Sequence, residues 1–129
     1  MTDVPGASAV FRGGVTVYTN EVKMFLGVKP ETLDKYTAVS RETAAELAEC
    51  VREKLGADYG VGVTGVAGPD SDGVHPVGTV FVSLASENGT FVRALQLGER
   101  SDRSRIRTLA ANHALDLLRR SILGLPLDA

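Results

Sequence analysis

One helix constrains this chain more than any other feature. Over Arg41–Leu55, the residues Ala44, Leu47, Ala48, Val51 and Leu55 recur at three- and four-residue intervals. That spacing puts a single apolar stripe on an α-helix. Ser40 stands where an N-cap belongs and Gly56 where a helix stops. Directly afterwards, residues 59–64 set Val61 and Val63 among glycines and read as a buried strand. A helix whose apolar face must be covered, followed at once by a strand, commits the chain to a layered α/β arrangement.

The flanking sequence extends that pattern. Residues 1–12 contain Pro5-Gly6 and read as a loop. The β-branched run at residues 15–19, opened by Gly13-Gly14, predicts a strand. Asn20 is placed to cap a short helix that runs to about Leu26 and stops at Gly27. Pro30 opens a second short helix that carries Leu33 and ends near Tyr36. Residues 65–76 are rich in Gly, Pro, Asp and Ser and form a loop. Residues 77–85 and 90–97 are strands joined by the hairpin signal Asn88-Gly89. Ile106, Leu109, Ala110, His113, Ala114, Leu117 and Leu118 mark one face of a last helix, ended by Gly124 and Pro126. Helices interleaved with strands predict a single α/β domain over residues 1–129. The expected architecture is three-layer α/β/α around a mixed, mostly parallel sheet, with the hairpin as its antiparallel part.

Composition removes several function classes. A formal charge of −2 gives no basic face for nucleic acid. Arg100, Arg103, Arg105 and Arg107 do cluster, but with serines and an aspartate between them, as at the solvated start of a helix. No run of 18 apolar residues or signal-peptide pattern occurs, so the default expectation is a cytoplasmic protein with no membrane partner. The lone Cys50 falls inside a helix and reads as a packing residue. His75 in a loop and His113 on a helix face lack partners at metal-ligand spacing, so neither a metal nor another cofactor is expected.

Two stretches carry chemistry. In the first, a strand runs straight into Thr64-Gly65-Val66-Ala67-Gly68-Pro69. Glycines there would let bare backbone approach a phosphate or an oxyanion, and the Thr64 hydroxyl could donate to the same ligand. The bland alternative is a plain turn with a packed threonine. The second is Tyr18-Thr19-Asn20-Glu21-Val22-Lys23, which sets a phenol, an amide, a carboxylate and an amine across a strand-to-helix junction. Thr19 and Lys23, four apart, can face one another. A lysine early in a helix opposes the macrodipole, which counts against a merely solubilising role. The bland alternative here is an exposed lysine.

These residues, with others, resemble the CinA C-terminal domain family. The resemblance rests on Thr2-Asp3-Val4-Pro5-Gly6-Ala7-Ser8, Phe11, Gly13-Gly14, Tyr18-x-Asn20-Glu21-x-Lys23 and residues 62–69. It continues in Pro76-Val77-Gly78-Thr79-Val80, Asp102-Arg103, Arg107 and Ala114-Leu115-Asp116-Leu117-Leu118. The resemblance implies a nicotinamide-nucleotide amidase, which hydrolyses the carboxamide of nicotinamide mononucleotide to the acid and ammonia. By position, Lys23 would be base or proton shuttle, Tyr18 would orient or donate, and Thr64 would assist catalysis. Asn20, Gly65, Gly68, Arg103 and Arg107 would bind substrate, the arginines at its phosphate.

The family's nucleophilic serine lies in an E-S-x-T-G-G segment, which these 129 residues do not contain. The resemblance therefore implies that a first strand-helix unit is missing and that turnover is weak or absent. Ser8 is no substitute, since the family has a serine there besides its nucleophile. A shortened chain, a non-catalytic paralogue that binds nucleotide or a partner, and an enzyme completed by another chain all remain open. A homo-oligomer or a complementing chain could supply the missing strand.

Overall fold

Among residues 1–128, which the computed structural model describes, three α-helices are followed by three strands and a final α-helix. In chain order they are α1 (Asn20–Leu26), α2 (Pro30–Tyr36), α3 (Arg41–Leu55), β1 (Gly60–Gly65), β2 (Thr79–Ser86), β3 (Gly89–Gln96) and α4 (Arg103–Ile122). A short 3-10 turn, Ala7–Ala9, precedes them. The strongest sequence signals hold. Ser40 caps α3 by accepting from the Thr43 N–H at 3.1 Å, and Gly56 ends it in the left-handed region at φ 58°. At α1 the cap is Thr19, not Asn20. Its hydroxyl oxygen accepts from the Val22 N–H at 3.4 Å, while Asn20 is already helical.

The sheet is antiparallel in both pairs, in the order β1-β2-β3, which corrects the mostly parallel expectation. The physical reason lies in the connections. Parallel neighbours need a crossover, usually a helix. β1 instead reaches β2 through a helix-free loop, and β2 reaches β3 through a hairpin. Residues 15–19 are not a strand either. They are β-branched, but no ladder partner among the described residues takes up their backbone, and Val15 stays exposed. Propensity for a pleated surface does not make a strand without a neighbour.

The α/β layers form on the two faces of β2. Val80, Val82 and Leu84 point to one side and join Ile106, Ala110, Ala114 and Leu117 of α4 in the main apolar core. Ser83 points to the other, where its hydroxyl donates to the Ala44 carbonyl of α3 at 2.5 Å. α3 lies so close to β1 that a Cβ on Gly62 would sit 2.6 Å from the Ala44 carbonyl oxygen and 2.9 Å from the Ala48 nitrogen. A second small cluster, Leu26, Val28, Leu33 and Leu47, fastens α1 and α2 to α3. This layering carries the ends of α1, β1 and α4 to a common neighbourhood.

Candidate functional site

The residues singled out along the sequence meet through three hydrogen bonds. α1 turns Lys23 inward until only 6% of it is exposed. Its Nζ donates to the Tyr18 carbonyl at 3.0 Å. No carboxylate among the described residues forms an ion pair with it. Burial alone therefore acts on the amine, and it lowers the Lys23 pKa from its ordinary value. Tyr18 itself is 78% exposed, and its phenol oxygen accepts from Arg103 Nη2 at 3.4 Å. Arg103, the first residue of α4, also donates through Nη1 to the Gly68 carbonyl at 2.8 Å. Lys23, Tyr18, Arg103 and Gly68 thus form one connected group, assembled from α1, the segment before it, α4 and the loop after β1.

Thr64 belongs beside that group but not in it. It is 9% exposed at the carboxyl end of β1, and its hydroxyl donates to the Ala38 carbonyl at 2.6 Å. A carbonyl can only accept, so the hydroxyl proton is committed there. The expected donation from Thr64 to a ligand is thereby excluded while this bond stands. No hydrogen bond joins Lys23 to Thr64. Asn20 and Arg107 are exposed and make no side-chain hydrogen bond among the described residues. Arg107 follows Arg103 by one helical turn and so shares its face.

The glycines of the loop have an internal explanation. A Cβ on Gly65 would stand 2.7 Å from Val80 Cγ2 and 2.8 Å from the Thr79 carbonyl oxygen. One on Gly68, at φ 83°, would stand 2.9 Å from Val77 Cγ1. The close approach that glycine permits here is made by β2 and the strand's own lead-in. It does not require a ligand.

Sequence reasoning missed the turn that holds Thr64. Thr37 has φ 69° and ψ 175°, a conformation almost reserved for glycine. Its carbonyl accepts from the Ser40 hydroxyl at 3.2 Å and the Thr43 hydroxyl at 2.7 Å. The next carbonyl, that of Ala38, takes the Thr64 hydroxyl. Only Ser40 carried a readable signal, as a helix cap. The backbone strain left none.

His75 proves to be a structural loop residue. Asp72 Oδ1 accepts from the backbone N–H groups of Val74 and His75, at 2.9 and 2.6 Å, and Oδ2 lies 3.2 Å from His75 Nδ1. Burial raises the Asp72 pKa, but the His75 and Val74 N–H groups and the imidazole outweigh it, and the net shift is downward. Two clefts, each of about 430–440 Å³, lie elsewhere. One is beside the β2–β3 turn and the other in the first eleven residues, and neither is lined by Lys23, Thr64 or Arg103. No group of three His, Cys, Asp or Glu among the described residues could hold a metal ion.

The family model for the CinA C-terminal domain matches residues 1–122. The chain belongs to this family. The CinA-like protein of Frankia casuarinae is 52% identical over 127 residues, which is 98% of this CinA domain but only 29% of that protein. The domain spans about 30% of the length of the curated relatives it matches. Among solved structures, the competence/damage inducible protein CihA from Agrobacterium tumefaciens is 37% identical with a TM-score of 0.85. That match covers 91% of this chain and 72% of the other. The competence or damage-inducible protein from Enterobacter asburiae is 30% identical, again with a TM-score of 0.85, over 91% of this chain and 74% of its own. These two solved structures share the α/β fold described above. No helix of this CinA domain is long and apolar enough to cross a membrane.

Proposed function

We propose that this CinA domain carries the binding and proton-transfer half of a site that hydrolyses the carboxamide of nicotinamide mononucleotide, in cytoplasmic pyridine-nucleotide salvage. The observation that supports it most is Lys23, a buried amine with a carbonyl as its partner and no counter-ion among the described residues. Hydrolysis of the amide adds the elements of water. An O–H nucleophile loses its proton to a base and its oxygen bonds the carbonyl carbon. The base returns that proton to the nitrogen, the C–N bond breaks and ammonia leaves. Where the nucleophile is a side chain, water then cleaves the acyl ester to release the acid. A lysine whose pKa is lowered by burial is suited to that first transfer. Arg103 and Arg107, one turn apart on α4, would pair with the substrate phosphate. Tyr18 would hold the base through its carbonyl and Arg103 through its phenol.

The nucleophile is the half these residues do not provide. The Thr64 proton is committed to the Ala38 carbonyl, and no hydroxyl among the described residues is hydrogen-bonded to Lys23. This CinA domain alone should therefore bind the nucleotide and turn it over weakly or not at all. The same observation favours, as a second reading, a nucleotide-binding relative without catalysis. A serine-bearing strand has a place to enter. Residues 12–18 lead from the end of α3, where Arg12 Nε donates to the Leu55 carbonyl at 2.9 Å, to Arg103 beyond the end of β1. They and the outer edge of β1 have no strand partner among the described residues.

The test pairs a binding measurement with a rate. Protein-observed NMR with nicotinamide mononucleotide should shift the signals of Tyr18, Lys23 and Arg103. Ammonia release should be at background for this chain and should appear when a serine-bearing strand-helix segment is supplied to it. Lys23→Met should then abolish it. A nucleotide that moves none of the three signals, or turnover indifferent to Lys23→Met, would sink the proposal.

A further inference from the structure

We infer that Thr64 distinguishes the amide from the acid by acting toward the ligand as a hydrogen-bond acceptor only. The inference rests on the nucleotide site proposed above and says what Thr64 does within it. The hydroxyl has one proton and two lone pairs. The proton is fixed on the Ala38 carbonyl at 2.6 Å, a short bond for O–H···O. No donor among the described residues reaches the lone pairs, which remain available to whatever occupies the end of β1. A carboxamide can present an N–H to them. A carboxylate can present only further lone pairs, which repel them.

The polarity of Thr64 is held by the turn behind it. Rotating the hydroxyl toward a ligand would strip the half-buried Ala38 carbonyl of its donor, at the cost of an unmade hydrogen bond. Nor can the carbonyl easily move away. It follows Thr37, whose backbone is locked at φ 69° by bonds from Ser40 and Thr43 to its own carbonyl. Thr43 is wholly buried and Ser40 7% exposed, and each hydroxyl is also engaged with the other at 3.0 Å. Strain of this kind persists where the surroundings over-determine it. Here the surroundings aim two carbonyls at buried hydroxyls, and the second of these is Thr64. The chemical consequence follows from the reaction. Hydrolysis replaces the amide nitrogen by oxygen, so the group that Thr64 holds in the substrate no longer exists in the product.

Calorimetric titration of the chain with nicotinamide mononucleotide and with nicotinate mononucleotide, for wild type, Thr64→Val and Thr64→Ser, tests this. The ratio of the two affinities is the readout, because the extra negative charge of the acid attracts Lys23 and Arg103 equally in all three proteins. Thr64→Val should weaken the amide roughly tenfold, the scale of one lost hydrogen bond, and leave the acid unchanged or tighter. Thr64→Ser, which keeps the hydroxyl, should keep the wild-type ratio. Equal weakening of both ligands by Thr64→Val would show a packing role and overturn the inference while leaving the nucleotide site standing. A wild-type chain that binds neither nucleotide would remove the site and the inference together.

Discussion

The two faces of the sheet are built on different principles. Against α4, β2 presents Val80, Val82 and Leu84, and side chains fill the space between helix and strand. Against α3 there is almost no space to fill. Gly60 and Gly62 let the helix backbone come down onto β1, and Ser83 bridges the layers by donating to the Ala44 carbonyl. The α4 face is a core of volumes, which tolerates exchange of like for like. The α3 face is a contact of backbones, which tolerates no added atom. All the strain and the buried polar hydrogen bonding around the candidate site, at Thr37, Thr43, Ser40, Thr64 and Lys23, lies on the α3 side. A function that needs placed polar groups has the less forgiving layer as its foundation.

The comparison is broken first by one methyl group. Gly62→Ala would drive Cβ to 2.6 Å from both the Ala44 carbonyl oxygen and Ser83 Oγ. Backbone on one side and the bridging serine on the other leave nowhere to retreat unless α3 lifts off the sheet. The expected loss exceeds about 4 kcal/mol, large for an added methyl. Denaturant melts of wild type and variant measure it, and a loss under about 1 kcal/mol would show that the layers part easily. On the other face, Leu117→Ala removes a wholly buried side chain and leaves a cavity among apolar neighbours. About 3 kcal/mol is expected from the same melts, with the variant still cooperatively folded. A larger cost at Leu117 than at Gly62 would reverse the ranking of the two faces.

Two substitutions should instead stabilise, both on the α3 side. Thr37→Gly releases the strained φ of 69° and gives up only a long 3.4 Å bond from Thr37 Oγ1 to the Val39 carbonyl. Against the greater freedom of glycine in the unfolded chain, a gain of about 1 kcal/mol remains. Lys23→Met removes a buried amine and keeps its apolar stem, so the melting temperature at neutral pH should rise. The native Lys23 pKa lies below the unfolded 10.5, so between the two the unfolded chain binds more protons and wild-type stability climbs with pH. Melting curves from pH 7 to 10 should show that climb in wild type and not in Lys23→Met. Stabilisation with loss of turnover is the signature of a residue kept for function.

How much of this was legible depends on which physical effect wrote it. The helix at Arg41–Leu55 was readable because stripe, cap and stop all agreed, as was the pairing of β2 with β3 through the Asn88-Gly89 signal. Sheet direction was misread although its cause was visible, since residues 65–76 already read as a loop without the helix that a parallel crossover usually carries. The run at residues 15–19 misled because β-branching reports a preference and not a partner. Tyr18 and Lys23 stood out at a strand-to-helix junction, Arg103 came only by resemblance, and two hydrogen bonds link the three. That Lys23 is buried without a counter-ion could not be seen in sequence, because it depends on where Leu26 and Val28 pack. The glycines after Thr64 were visible, but spacing left a plain turn and a ligand's approach both open, and the packing of Val77, Thr79 and Val80 supplies an internal reason for them. Spacing shows that backbone comes close, not to what.

The smallest effect is expected at an ion cluster between α4 and β3. Asp116 takes Arg119 Nη2 and Nε on Oδ1, at 2.8 and 3.1 Å, and Arg120 Nε on Oδ2 at 2.7 Å, with Arg93 of β3 at 3.9 Å. Hydrogen bonds first from Arg119 and then from Arg120 bring its pKa from 3.8 down to about 2. The unfolded chain therefore binds the proton more readily between those values. The contribution of Asp116 is complete above about pH 4 and is lost as pH falls toward 2. The Asp116 side chain is 34% exposed, so water screens the cluster, and pairs of this kind add little at neutral pH. Asp116→Asn should accordingly lower the melting temperature only slightly at pH 7 and meet the wild-type curve near pH 2. If the variant lost as much as Leu117→Ala, the α4 side would be held by charge as well as by volume, and the contrast between the two faces would have to be redrawn.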